Sequence, residues 1–173
     1  MSSSFPYSRI HHRPGHNFQA GARVRSRTIM ARRSDAPRLN TLRFPLKLEN
    51  PVRVLVPRPK KSRSQEEKDR EVELLSIQGI ESDARQYVKF NIFLDEEDEE
   101  DRDNLAQAAY AGTFSLLPRG SNSPTTIKAE VRLELNRLLE ELGVEDDEEI
   151  LVTLVPVAGD ITIGSLKIEY VPY

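Results

Sequence analysis

The sequence predicts an all-β protein: an antiparallel sandwich or jelly-roll-like barrel with one short helix, preceded by a disordered basic N-terminal arm. Three observations support this class. Short segments of alternating apolar and polar residues follow one another between turns that contain Pro and Gly. A single segment has the apolar period of a helix. The first 43 of the 173 residues are rich in arginine and have no apolar period. About five to seven short strands at this spacing are typical of sandwiches and barrels.

The strands of the first half are predicted from alternation. Residues 52–56 form a short strand pattern, and residues 71–80 form a second one. The clearest alternation lies at 87–94, where the even-numbered residues are all apolar and share one face. Residues 109–117 follow as a further strand that ends before a proline. The apolar face of 87–94 consists of Val88, Phe90, Ile92 and Leu94.

The second half contains the helix and the remaining strands. Residues 127–133 alternate as a strand, after which the period changes. Leucines at i, i+3, i+4 and i+7 within 135–142 predict a short helix that ends at Gly143. The nearly continuous apolar run 150–155 is typical of a buried strand. Residues 161–170 then return as the last strand.

The net charge of −3 conceals two parts of opposite charge. Residues 1–43 hold nine arginines and one acid, a balance of +8, whereas residues 44–173 hold 16 basic and 27 acidic residues, a balance of −11. The first part cannot bury enough apolar surface to offset the entropy of ordering, so we expect it to be disordered. We divide the chain into this arm, a strand plus charged linker at 44–70, and a β domain at 71–173.

Three charged segments are interpreted as solvated. Residues 57–70 run from basic to acidic without apolar side chains other than proline, which predicts a solvated, protease-sensitive linker, and the strand 52–56 before it is expected to be poorly anchored. Residues 95–103 are eight acids and one arginine, and self-repulsion should keep them in an open loop. They lack the glycine turn and the alternating ligands of a calcium-binding loop. Residues 145–149 form a similar acidic turn, for which we predict no catalytic role.

The composition excludes several classes of site. The chain has no cysteine, so disulfides, thiol nucleophiles and cysteine-bound metals are excluded. No apolar run approaches the roughly 18–20 residues that a membrane span requires. The three histidines are His11, His12 and His16, all in the arm. They could converge on a divalent metal, but we favour an adventitious spacing, so no metal site and no catalytic residue is predicted.

Four separated segments stand out in their order: PVRVLVPRPKKSRS, YVKFNIFLD, AYAGTFSLLPRG and LNRLLEELGVEDDEEILVTLVPVAGDITIGSLKIEY. Together they resemble the C-terminal domain of plant polyphenol oxidases, the KFDV domain, over roughly residues 44–171. The tetrapeptide that names the family appears here as Lys89, Phe90, Asn91 and Ile92. The last two of these depart from the family pattern but keep its polar and apolar alternation, so the strand is retained.

The resemblance implies a non-catalytic domain that covers a dicopper active site and keeps the enzyme latent. In the family, a residue on the loop after the AGTF-like strand projects into the active-site entrance as a placeholder for substrate. The corresponding segment here is 113–118, and we predict Leu117 as the placeholder, with Leu116 second and Phe114 in the same docking loop. The following proline stiffens the backbone at Leu117. Leu117 as simply the last core residue of the strand is the equal alternative.

The family activity, catechol oxidation, is not expected of this chain. The resemblance implies two coppers held by six histidines in a separate catalytic domain, whereas this chain has three histidines and reaches the C-terminal domain by residue 44. We therefore expect no bound cofactor, with copper confined to the parent family, and a tyrosinase-type dicopper catalytic domain as the partner. Two alternatives stay open: a stand-alone interaction module that uses strand edges, and the relic of a truncated oxidase gene.

The basic arm has three interpretations. Its arginine-rich, serine-containing and nearly acid-free composition is typical of a transit peptide, which together with the resemblance implies a plastid location. It could also bind nucleic acid, or it could be sequence without a selected function. Nucleic acid ranks last, because the basic clusters lack interleaved aromatic residues on which bases could stack. We predict no membrane partner.

Overall fold

The computed structural model describes residues 35–94, 110–120 and 125–173. The predicted acidic loop 95–103 and residues 1–34 of the predicted arm lie outside the described residues. After a 3-10 turn at Leu39–Thr41, the elements are β1 (Leu46–Lys47), β2 (Val52–Pro57), α1 (Gln65–Arg70), β3 (Glu71–Asp83), β4 (Val88–Leu94), β5 (Tyr110–Leu116), β6 (Thr126–Glu134), α2 (Asn136–Leu142), β7 (Glu149–Ala158), β8 (Thr162–Ile163) and β9 (Ser165–Pro172).

These strands form two antiparallel sheets. The first sheet has the order β2-β7-β4-β5, and the second has the order β1-β8-β3-β6 with β9 also paired to β3. Ile77 of β3 and Ile92 of β4 are both fully buried in one core between the sheets. Because the described strands make two separate sheets rather than one closed barrel, the sandwich form of the prediction is confirmed.

β4 has the alternation that the sequence predicts. Its even-numbered residues are fully buried, and the residues between them are partly exposed. The ring of Phe90 stacks on that of Phe114 in β5, with centroids 5.2 Å apart. β4 pairs with β5 on one side and β7 on the other, so it is an inner strand. An inner strand with one face on the core is the environment that gives the strongest alternation.

The last predicted strand is divided in two at Gly164. β3 pairs with β9 through its first part and with β8 near its end. The register of β3 against β6 shifts around Gly79, which has a φ of 62°. A Cβ atom at Gly79 would lie 3.0 Å from the Gly164 Cα, so both glycines permit a close approach of two backbones.

The predicted helix is confirmed as α2. Leu139 and Leu142 are its buried residues. Gly143 ends the helix with a left-handed φ of 69°, and the Val144 N–H donates to the Leu139 carbonyl at 3.1 Å. The backbone hydrogen bond that spans Gly143 satisfies a carbonyl that the helix leaves without an internal partner.

Residues 35–43, predicted to be part of the disordered arm, pack on the first sheet. The Leu55 N–H donates to the Pro37 carbonyl at 2.9 Å, and Arg38 forms a parallel bridge with Leu55. Ala36 is buried against Leu55 and Leu151. The prediction of disorder is therefore wrong for this segment. The mean composition of the arm concealed a few apolar residues that pack against the core and the first sheet.

β2 is also held more strongly than the sequence predicts. All six of its residues pair with β7, and Val54 and Val56 are fully buried in the core. The expectation of a poorly anchored strand is wrong, because β7 supplies a complete ladder of backbone partners.

The segment predicted to be a solvated linker is bound to the acidic turn 144–149. Arg58 makes two hydrogen bonds to the Glu73 carboxylate, at 2.7 and 2.9 Å, and the two side chains are 3% and 2% exposed. The second terminal nitrogen of Arg58 donates to backbone carbonyls of the turn. These carbonyls belong to Val144, Glu145 and Asp147, at 3.3, 2.6 and 2.9 Å.

Further polar contacts extend along residues 58–63 and the turn 144–149, which we call the charged clasp. Lys61 pairs with Glu148 at 2.7 Å, and the Ser62 hydroxyl donates to Asp146 at 2.6 Å. Ser62 itself has a positive φ of 52°, so the clasp holds a backbone conformation that serine rarely adopts. Most residues of 57–70 are exposed, as the linker prediction expects, but the prediction misses this binding, in which two segments of opposite charge neutralise each other.

Arg63 and α1 complete this region. The guanidinium of Arg63 lies 4.2 Å from the ring centre of Tyr170 and donates to the carbonyls of Glu67 and Glu71. Ser64 and Glu67 form a reciprocal capping box at the start of α1. A cap of this type stabilises a helix that is too short to form by itself.

The first prediction concerns the buried ion pair. We expect Arg58→Met to lower the free energy of unfolding by about 3–5 kcal/mol, because it leaves the Glu73 carboxylate buried without its partner. Urea unfolding of the full chain measures this change. Arg137→Met is the matched control, because Arg137 pairs with Glu141 on the surface of α2 and is 88% exposed. It should cost less than about 0.5 kcal/mol. Equal losses of unfolding free energy in the two variants would contradict the role of the buried pair.

The second prediction concerns the contact between glycines. Gly79→Ala should destabilise the chain by about 1–3 kcal/mol, because it combines a left-handed backbone with the close approach to Gly164. Gly120→Ala is the control, since a Cβ atom there would meet nothing within 4 Å. Its effect should stay within about 0.5 kcal/mol. Identical unfolding curves for the two variants would show that the approach of the two backbones imposes no constraint.

The third prediction concerns acid. Lys60 and the Ser64 backbone lower the pKa of Glu67 from 4.5 to about 2, and Lys61 also lowers the pKa of Glu148. A carboxylate whose pKa is lowered by folding contributes its full stability above pH 4.5 and loses it as the pH falls towards 2. Thermal unfolding should therefore show a melting temperature that drops across this range.

Glu67→Gln tests the assignment. The variant should be less stable at pH 7, and its melting temperature should fall less steeply with acid, because its side chain does not titrate. In about 1 M salt the difference between variant and parent should shrink, since the screening length falls to about 3 Å. If the melting temperatures of the two proteins fall in parallel with pH, Glu67 does not contribute to the loss of stability in acid.

Candidate functional site

Leu117 lies immediately after β5, at the edge of the first sheet. Its side chain is 76% exposed, the largest such value among the described large apolar residues. β5 pairs with β4 on one side, and in the described part of the chain no other strand continues the sheet beyond it. Leu117 is therefore a surface residue, and the alternative that it is the last core residue of the strand is wrong.

The two neighbouring candidates lie deeper. Phe114 is only 7% exposed and stacks on Phe90, so it belongs to the core rather than to an exposed loop. Leu116 is partly buried and packs against the same core. The structure thus brings one of the three predicted docking residues, Leu117, to the surface, and the other two support the strand from which it projects.

The segment that carries Leu117 is tied to the turn between β3 and β4. The Arg119 N–H donates to the Ala84 carbonyl at 2.7 Å, and the Ala84 N–H donates to the Thr125 carbonyl at 2.8 Å. In the same turn the Arg85 side chain hydrogen-bonds to Asp83, which lowers the pKa of that carboxyl group. Leu117 therefore projects from a base that backbone hydrogen bonds fix in place.

Two further exposed apolar residues lie at the same end of the first sheet. Tyr87 precedes β4 and is 43% exposed, and Val157 near the end of β7 is 52% exposed. The turn after Val157 packs closely here, because a Cβ atom at Gly159 would lie 2.5 Å from a methyl group of Val88. The alternation at 87–94 places Tyr87 opposite the apolar face, in agreement with its exposure, whereas Val157 was not predicted as a surface residue.

The signature strand divides between core and surface. Phe90 and Ile92 are fully buried, whereas Lys89 and Asn91 lie on the outward side of the sheet and are partly exposed. Asn91 accepts a hydrogen bond from the Thr113 hydroxyl on β5. The apolar half of the signature thus packs the core, and its polar half belongs to the outer surface.

No metal site appears among the residues with described positions. Within them no group of His, Cys, Asp or Glu could hold an ion, and the three histidines of the chain lie in residues 1–34, which are not described. Asp146 and Glu148, in the acidic turn, are occupied by Ser62 and Lys61. The helices of the described ranges include none that is long and apolar enough to cross a membrane.

Comparison with known proteins identifies relatives of most of the chain. The sequence model of the Chloroplastic Polyphenol Oxidase C-terminal domain matches residues 44–170. Polyphenol oxidase II, chloroplastic, from Ipomoea batatas is 46% identical over 149 residues, which cover 85% of this chain and 25% of that protein. The chloroplastic polyphenol oxidase latent form of Prunus armeniaca is 41% identical over 133 residues, covering 75% of this chain and 22% of that protein.

Solved structures give the same result. Latent aurone synthase, a polyphenol oxidase from a natural source, superimposes with a TM-score of 0.74 and 35% identity, over 80% of this chain and 28% of that one. Latent apple tyrosinase superimposes with a TM-score of 0.68 and 36% identity, over 81% of this chain and 30% of that one. The chain therefore spans less than a third of the length of the proteins that it matches.

Proposed function

Because the chain belongs to the family of the chloroplastic polyphenol oxidase C-terminal domain, we propose that it docks on a tyrosinase-type dicopper catalytic domain and shields the active site of that domain. The single observation that carries the proposal is Leu117, an apolar side chain that is 76% exposed at the end of an edge strand. Several relatives are named as latent forms, and latency is the property that such shielding would produce.

The physical properties of Leu117 suit a placeholder. Moving a leucine side chain from water into an apolar entrance gains about 1.5–3 kcal/mol. Pro118 restricts the backbone of Leu117 to extended conformations, and the hydrogen bond of Arg119 to Ala84 fixes the segment two residues later. Preorganisation of this kind lowers the entropy that is lost on binding.

The proposed function assigns the chemistry to the partner. Two coppers that bind oxygen between them need three imidazoles each, whereas this chain contains three histidines in all. The residues present do not fit a dicopper centre, so no step of diphenol oxidation is routed through this chain.

A plastid location forms part of the same proposal. The matched relatives are named chloroplastic, and the arm has the composition of a transit peptide. Ala36 and Leu39 pack on the sandwich. A segment that is removed on import should therefore end before residue 35, since a later cut would expose apolar groups of the first sheet.

The test is inhibition in trans. The full 173-residue chain is titrated into the copper-loaded catalytic portion of the Ipomoea batatas oxidase, separated from its own C-terminal domain, while diphenol oxidation is followed. We expect saturable inhibition, and Leu117→Gly should weaken it about ten- to a hundredfold, as the loss of a buried leucine requires. Tyr173→Gly is the control, since Tyr173 is 75% exposed and follows β9, a strand of the second sheet.

Three results would contradict parts of the proposal. A folded chain that causes no inhibition at about 100 µM would contradict shielding, even though a free domain lacks the high effective concentration of a tethered one. Equal inhibition by the parent and by Leu117→Gly would contradict the role of Leu117 as the placeholder. Oxidation by the chain alone would contradict the argument from the histidines.

A further inference from the structure

The outward face of the second sheet is charged and solvated. Its side chains form short-range ion pairs along and between the strands. The pairs are Glu81–Lys128 at 2.7 Å, Lys167–Glu169 at 2.5 Å and Glu130–Arg132 at 3.4 Å. A surface on which most charges have a neighbour of opposite sign and remain in contact with water is typical of a face that stays exposed.

The outward face of the first sheet differs. Thr113, Asn91 and Val155 lie side by side across β5, β4 and β7, and none of them is charged. The next row contains Tyr110 and Phe93, whose ring centroids are 5.6 Å apart. We call this surface the uncharged face, and its defining residues are Asn91, Phe93, Tyr110, Thr113, Val155 and Leu117.

Two charged side chains, Lys89 and Arg53, lie on the same side of the sheet, to either side of the central row of Thr113, Asn91 and Val155. Lys89 lies opposite Ser115, towards the end that carries Leu117. Arg53 is at the β2 margin, where Arg38 also approaches Glu149 at 3.4 Å. Protein interfaces have this composition, with charge depleted at the centre, tyrosine and phenylalanine enriched there, and polar groups at the rim.

The preceding chain arrives on the same side of the sandwich. Residues 36–38 run beside β2, and Ala36 covers Leu55 and Leu151 on the outward side of the first sheet. The family description places the matched region at the C-terminal end of the relatives, so their remaining length precedes it. A domain that is tethered before residue 36 would thus be attached next to the uncharged face.

We propose that the uncharged face, with Leu117 at its corner, is the surface that docks on the catalytic domain. This inference rests on the proposed function and adds the orientation: the first sheet faces the partner and the second faces water. The partner surface that fits is one poor in charge, with apolar groups for Phe93 and Tyr110 and hydrogen-bonding groups for Thr113 and Asn91.

A matched pair of lysine substitutions tests the orientation. Thr113→Lys places a charge at the centre of the uncharged face, and Thr126→Lys places the same charge on the outward face of the second sheet, beside Asp83. Both threonines are exposed, so neither change disturbs the core. Tyr110→Lys is a second variant on the uncharged face. Circular dichroism and urea unfolding confirm that each variant is folded.

Binding and inhibition are measured separately. The catalytic portion of the Ipomoea batatas oxidase is immobilised, and each full-length variant is titrated at about 0.15 M salt, where long-range charge effects are screened. We expect Thr113→Lys and Tyr110→Lys to raise the Kd at least about tenfold, because an ammonium group would be buried without a partner. Thr126→Lys should bind within about twofold of the parent.

The outcomes separate the inference from the proposed function. Parent-like binding by Thr113→Lys and Tyr110→Lys, with inhibition that still depends on Leu117, would overturn the orientation and leave shielding intact. Binding that weakens as expected but never inhibits oxidation would support the orientation and overturn shielding. No binding by the parent chain at about 100 µM would overturn both, because both require the free chain to dock on the catalytic portion.

Discussion

The buried ion pair between Arg58 and Glu73 is the contact on which the arrangement of this sandwich depends. It joins the segment after β2, in the first sheet, to β3, in the second sheet. The same guanidinium also binds three carbonyls of the turn that leads into β7. Arginine suits this position because its planar, permanently charged group offers five donors in a fixed geometry, which lysine lacks. Three segments distant along the chain are thereby held in one place, and β2 and β7 are aligned for their ladder.

Local periodicity predicted most of the fold, because burial of one face leaves its period in the sequence. The alternation in β4 and the leucine spacing in α2 are two clear cases. The charged clasp could not be predicted in this way. Lys61 and Glu148 are 87 residues apart, and each lies in a segment whose own composition predicts exposure to solvent. Residues 35–43 were missed for a related reason, since their few apolar groups acquire a partner only when β2 and β7 are side by side.

The candidate site shows the same division between local and distant information. The resemblance indicated the segment that contains Phe114, Leu116 and Leu117, but only the position at which β5 ends shows that the third residue is at the surface. The uncharged face is not visible in any one segment of the sequence. Its rows form when residues of β5, β4 and β7 become neighbours, and each strand alone contributes one or two unremarkable polar or apolar side chains.

The contact of residues 36–38 with β2 determines where a self-sufficient folding unit begins. The family match starts at residue 44, yet a chain cut there would lose the strand-like cover of β2 and the side chain that shields Leu55 and Leu151. The outer backbone groups of β2 would then form a bare sheet edge next to an apolar patch, a combination that promotes edge-to-edge aggregation. The start of the family model and the start of the folded unit therefore differ by several residues in this protein, and the folded unit begins further towards the N-terminus.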